Sequence, residues 1–115
     1  MADSDISVFR SSLDLLVLKA LSWGPRHGYA VLDWVQRATE DTILIEEGSL
    51  YPALHRLERR GWVETEWGVS ANNRRAKFYR LAAAGRAELR QESAAWLRYA
   101  DALTRALRMT APLPA

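Results

Sequence analysis

The sequence predicts a mainly α-helical fold with one small β-hairpin, followed by a helix too long for the rest of the chain to cover. Three observations carry this. Apolar residues recur at helical spacing three times before residue 60. Two alternating segments flank a polar turn between Trp62 and Leu81, and a last helical pattern runs from Ala83 to Met109. With 115 residues, 49% of them hydrophobic, the chain fills one modest core and leaves no room for two full domains.

In the first element Ser11 or Ser12 caps a helix whose Leu13, Leu16, Val17, Ala20 and Leu21 share one face. Gly24-Pro25 ends it, because proline cannot continue a helix. A second helix is expected from Gly28 to Ala38, burying Tyr29, Leu32 and Val35. The β-branched Thr42-Ile-Leu-Ile45 run then reads as a short segment able to pair once.

A third helix is expected over 49–60, with Gly48-Ser49 as cap, Pro52 in the first turn and Gly61 as the left-handed terminator. Leu50, Ala53, Leu54 and Leu57 form its inner stripe. Tyr51, Pro52, His55, Arg56 and Arg59 are therefore left on or beside the outer face. Such a face, rich in arginine and aromatic hydrogen-bonders, exceeds what solubility alone demands.

Alternation from Trp62 to Trp67 and from Arg75 to Leu81, around the polar Gly68–Arg74 stretch, predicts a hairpin. Arg74, Arg75 and Lys77 make its tip and return strand basic. The final helix would be about 40 Å long at 1.5 Å per residue. Leu89, Ser93, Trp96, Ala100, Leu103 and Leu107 step along it by alternating fours and threes, the spacing of a coiled-coil seam. A second copy of the chain is the economical partner, so a homodimer is expected. The expected units are 1–82 for the helices and hairpin, 83–109 for the dimerisation helix, and 110–115 for a disordered Pro-containing tail.

Composition narrows the chemistry. The absence of cysteine removes disulfides, thiolate metal sites and cysteine nucleophiles, and fits a reducing cytoplasm. The acidic Met1–Asp5 start is unlike a signal peptide, and no apolar stretch approaches a membrane span, so no membrane partner is expected. The formal charge of +2 is split, with residues 1–47 at −4 and residues 48–115 at +6, and fourteen of the sixteen cations are arginine. Arginine grips phosphate and guanine edges bidentately, which makes double-stranded DNA the leading partner. His55 and Glu58 lie one helical turn apart, but half a site without further ligands makes neither a metal centre nor an acid–base pair. With no phosphate loop or nucleophile elbow, the chain is read as a non-enzyme without cofactor or metal.

Three helices and then a basic hairpin is the order of a winged helix-turn-helix, in which the third helix enters the major groove and the wing meets backbone or minor groove. Particular residues sharpen this reading. Leu13–Leu18, Gly24-Pro-Arg-His-Gly-Tyr29, Glu47-Gly-Ser-Leu-Tyr-Pro-Ala-Leu-His-Arg-Leu-Glu58, Gly61 and Arg75-Ala-Lys-Phe-Tyr-Arg-Leu81 resemble the PadR family of transcriptional regulators over about residues 12–90. The resemblance implies a homodimeric repressor in the family's short form with one C-terminal helix; two copies meeting half-sites about one helical turn apart make a roughly palindromic operator the expectation. Carried over residue by residue, it assigns DNA reading to Ser49, Tyr51, Pro52, His55 and Arg59. The wing contacts become Asn72, Asn73, Arg74, Arg75 and Lys77, and His27, Gly28 and Tyr29 open the helix against the phosphate backbone. Tyr29 is equally open to a core role.

Two positions depart from the family pattern: Ala82 stands where many members cap the last helix with Thr, and Trp62 replaces a smaller aliphatic residue. Trp23, Trp34, Trp62 and Trp67 read as core or rim. Trp96 is open to two readings, packing in the dimer seam or lining a site for a flat aromatic effector as in some relatives. The alternative function is a winged-helix protein-interaction module that binds no DNA.

Overall fold

The computed structural model describes residues 12–115. The acidic start and the Ser11 cap lie outside them. Helix α1 occupies 12–20, with Leu13, Val17, Leu18 and Ala20 buried, and Leu21 is buried just after it. A turn leads to the two-residue strand β1, Arg26–His27, and directly into α2, Gly28–Ala38. His27 joins the two, since its Nδ1 accepts a hydrogen bond from the Ala30 amide at 3.3 Å and so caps α2.

The inner stripe of α2 is Gly28, Val31 and Val35: Val35 is buried as expected and Leu32 packs partly against the core, but Gly28 rather than Tyr29 turns inward in the first turn. Tyr29 is 69% exposed, which removes its core role. The Thr42–Ile45 segment does not pair. Instead Glu40 and Asp41 take positive φ, the Ile43 amide donates to the Thr39 hydroxyl at 3.1 Å, and only Ile45 packs against the core.

Helix α3 spans Glu47–Arg59 and thus starts before Ser49, which is not its cap. The cap position is Glu46, without a side-chain hydrogen bond. Pro52 therefore sits beyond the first turn, where its ring leaves the Gly48 carbonyl without its usual i+4 donor. Gly48 is exposed, so water can take that place. The C-terminus of α3 ends as expected. Gly61 is left-handed at φ +76°, its amide donates to Glu58 O, and the Trp62 amide donates to Leu57 O at 3.0 Å, which closes a Schellman turn.

Strands β2, Val63–Val69, and β3, Arg75–Leu81, form the hairpin, and β1 adds to the outer edge of β3, giving the order β1-β3-β2. The register pairs Val63 with Leu81, Thr65 with Tyr79, Trp67 with Lys77 and Val69 with Arg75, which puts all eight on one face. At the base of the hairpin this face enters the core through Val63 and Tyr79. Leu50, Leu54 and Leu57 of α3 complete the core with α1 and Val31, each fully buried leucine stabilising the fold by about 1.5–3 kcal/mol.

Helix α4 runs over Ala83–Leu107. Its first turns rest on the domain, with Gly85 buried against the Trp62 carbonyl and Leu89 in the core at 7% exposure. Leu89 is thus spent within the chain rather than on a seam. Beyond it Leu97, Leu103 and Leu107 are exposed, and the molecule measures 63 × 28 × 27 Å. Among the described residues no helix is long and apolar enough to cross a membrane.

Candidate nucleic-acid interface

The core fixes how α3 is rotated. With Leu50, Ala53, Leu54 and Leu57 inward, Tyr51, Pro52, His55 and Arg59 are exposed. Arg56 lies beside that surface and lines its cleft, but its guanidinium is engaged: it donates to the Asp14 carboxylate at 2.7 Å, tying α3 to α1, with both side chains mostly covered. The outer face lines a cleft of about 570 Å³ that runs from Tyr51 past His55 and Arg59 to Tyr79.

A second cleft, of about 610 Å³, opens between the start of α2 and the hairpin. His27, Gly28 and Tyr29 form one wall, Asn72, Arg74, Arg75 and Lys77 the other, and Tyr51 and Tyr79 belong to both clefts. The two surfaces are therefore continuous. Of the site residues expected from sequence, Ser49 and Asn73 line neither cleft. Ser49 is half-buried, and Asn73 instead shapes the hairpin tip at φ +61°, donating its amide to Ser70 O. Gly28 is buried beneath the Tyr51 ring, so it shapes the cleft without presenting a side chain. His27 has already used Nδ1 on the α2 cap, and its ring meets Phe78 edge-on at 5.7 Å.

A match to the PadR-like family of transcriptional regulators covers residues 17–91, the stretch that carries both clefts. The chain belongs to that family. An uncharacterized protein of Lysinibacillus sphaericus is 29% identical over 96 residues, covering 84% of this chain and 86% of that one. The structure of a PadR family transcriptional regulator from Eggerthella lenta is similar at 30% identity and a TM-score of 0.70, over 95% of this chain and 94% of its own. That of a transcriptional regulator from Clostridium thermocellum has 25% identity and a TM-score of 0.75, over 86% and 96%. As a PadR-like winged-helix protein the chain is a DNA-binding regulator of transcription and not an enzyme.

The electrostatics of this PadR-like site follow from which acids are already engaged. Glu64 and Glu66 lie on the opposite sheet face, where Arg80 reaches them at 3.2 and 3.8 Å. Glu58 accepts from the Thr65 hydroxyl at 3.2 Å. Burial, aided by the neighbouring Tyr51 and Glu58, pushes the Tyr79 phenol above its usual range, so it stays a neutral hydrogen-bonding group at the bottom of both clefts. Among the described residues no cluster of three or more His, Asp or Glu side chains could hold a metal ion.

Sequence reasoning missed two aromatic members of the site, Tyr79 where the clefts join and Trp67 on the wing. Trp67, read as core or rim, is 60% exposed, lines the α2–wing cleft and carries the Arg75 guanidinium over its ring at 4.8 Å. The alternation did place it on the face of Val63. What alternation alone does not show is that this face leaves the core halfway along the strand.

Proposed function

We propose that the protein is a homodimeric repressor that reads a palindromic operator, with α3 of each copy in a major groove and each wing along the adjoining backbone or minor groove. The observation that carries the DNA assignment is the junction of the two clefts. Tyr51 and Tyr79 connect the exposed Tyr51, Pro52, His55, Arg59 face of α3 to the cations Arg74, Arg75 and Lys77. Donors for base edges and cations for phosphate then lie on one surface, as duplex recognition requires. The place of action is the cytoplasm, with the DNA.

Dimerisation rests on α4. Past Leu89 the large apolar residues Leu97, Tyr99, Leu103 and Leu107 are exposed and Trp96 is only half-buried, and Ser93, Trp96, Ala100, Leu103 and Leu107 form the stripe that a second copy buries. Trp96, held edge-on to Tyr99 at 6.1 Å, lies near the centre of that stripe. A flat aromatic ligand between the two copies of Trp96 alters the tilt of the paired helices and the spacing of the two α3 helices, releasing operator by population shift.

Selection of bound duplexes from a random pool tests the reading: an inverted repeat with half-sites about one helical turn apart is expected. Lys77→Ala flattens the salt dependence of binding by about one unit, and Arg59→Ala relaxes base preference. Leu103→Glu yields monomer in light scattering. For the effector, planar aromatic compounds weaken operator binding by the wild type and not by Trp96→Phe. Failure to enrich any duplex overturns the DNA reading and favours a protein-interaction module.

A further inference from the structure

The tip half of the hairpin presents an arrangement that neither core packing nor general basicity requires. On the sheet face that turns toward the clefts, Trp67 and Val69 of β2 lie opposite Lys77 and Arg75 of β3. Trp67 and Val69 are 60% and 65% exposed, so neither is there to fill the core. Arg75, like Arg59 and Arg74, has no carboxylate partner among the described residues, whereas Arg37, Arg56 and Arg105 each have one and Arg80 has two. The Arg75 guanidinium lies instead over the Trp67 ring.

Charge and shape both matter in that contact. The acids of β2, Glu64 and Glu66, sit on the other face with Arg80, so nothing there competes for Arg75. A guanidinium held over an indole keeps N–H groups free to donate, while the contact limits the rotamers the side chain would otherwise sample. An arginine prepared in this way suits a narrow, strongly negative groove. A·T-rich minor grooves have that shape and potential.

We propose that Trp67 is a positioning residue for DNA recognition: it holds Arg75 ready to enter the minor groove beside each half-site, and the pair gives the operator a preference for A·T-rich flanks. The proposal rests on the DNA-binding reading above. It adds specificity at base pairs that α3 does not reach, obtained through groove width rather than base-edge hydrogen bonds. Lysine at position 75 would serve less well: an ammonium can lie over an indole, as Lys19 does over Trp23 at 4.9 Å, but it is a strongly hydrated point charge that offers no planar N–H edge to a narrow groove.

The test uses the full-length protein and the selected half-sites, synthesised with either A·T-tract or G·C flanks. The readout is the ratio of affinities for the two, at fixed salt. Wild type is expected to favour A·T flanks, and Trp67→Ala and Arg75→Lys each to lower that ratio about two- to fivefold, with Trp67→Phe retaining most of it. Thermal unfolding of each variant shows whether the hairpin is still formed. The proposal is overturned if wild type binds both flanks equally, or if Trp67→Ala weakens both duplexes by the same factor. A wild type that binds no duplex specifically sinks the DNA reading itself, a result distinct from either.

Discussion

The ring of Tyr51 lies so close over Gly28 that a Cβ on Gly28 would come within 2.5 Å of the Tyr51 hydroxyl oxygen and 2.9 Å of the ring. The start of α2 and the exposed face of α3 are therefore set against each other through a missing side chain. What must yield on substitution is the free end of a half-exposed tyrosine. Gly28→Ala is thus expected to leave the melting temperature within a few degrees of wild type, since alanine also favours helix, while lowering operator affinity about tenfold by displacing Tyr51. The check is a double-variant cycle: in a Tyr51→Ala background the added Gly28→Ala should have no further effect.

Gly85 offers the contrast. A Cβ there would collide with the Trp62 carbonyl oxygen, which belongs to the backbone between α3 and β2 and cannot swing away. Gly85→Ala should cost about 1–3 kcal/mol of stability through overpacking, despite the better helix propensity of alanine. Denaturant unfolding measures it, and an unchanged midpoint would show that α4 can lift off the domain at no cost.

The same helix is preceded at its cap position by Ala82, which has the extended backbone of a cap, φ −78° and ψ 167°, but no side chain able to accept a hydrogen bond from the first turn. Ala82→Ser supplies one. A gain of about 0.5–2 kcal/mol is expected in the same unfolding assay.

Tyr79 makes stability fall in alkali. Burial holds its phenol above the ordinary range, so the folded chain keeps a proton that the unfolded chain releases. Stability from this source is complete below the unfolded value of about 10 and declines as pH rises from there through the folded value. Tyr79→Phe should flatten this part of the alkaline unfolding curve, compared with wild type from pH 9 to 11.

Much of this arrangement was legible in the sequence, and the misreadings have local causes. The α3 stripe and Gly61 stood out because leucines and a glycine terminator mark them. In α2 Val35 was legible, but hydropathy points Tyr29 inward at the first turn, whereas Gly28, which has no hydropathy of its own, is the residue buried there, by Tyr51 from another helix. Strand β1 is two residues long, too short for any period, and exists only because β3 offers it an edge. Leu89 fits a seam spacing as well as it fits the core; the packing of α4 on the domain decides for the core. Trp67 and Arg75 are eight residues apart and meet only through the register of the hairpin.

That register also limits how the wing can change in length. One face of β2 and β3 is core at its base and meets the clefts toward its tip, while the other carries Glu64, Glu66 and Arg80. Adding one residue to each strand beyond the turn keeps the pairing and the faces, and extends the wing by about 3.4 Å. One extra residue in β2 between Val63 and Glu66 shifts the pleat by one, unless a bulge absorbs it, and turns the Glu66 carboxylate toward the phosphates in place of Trp67. Relatives that bind DNA with longer or shorter wings should therefore differ by paired insertions at the tip.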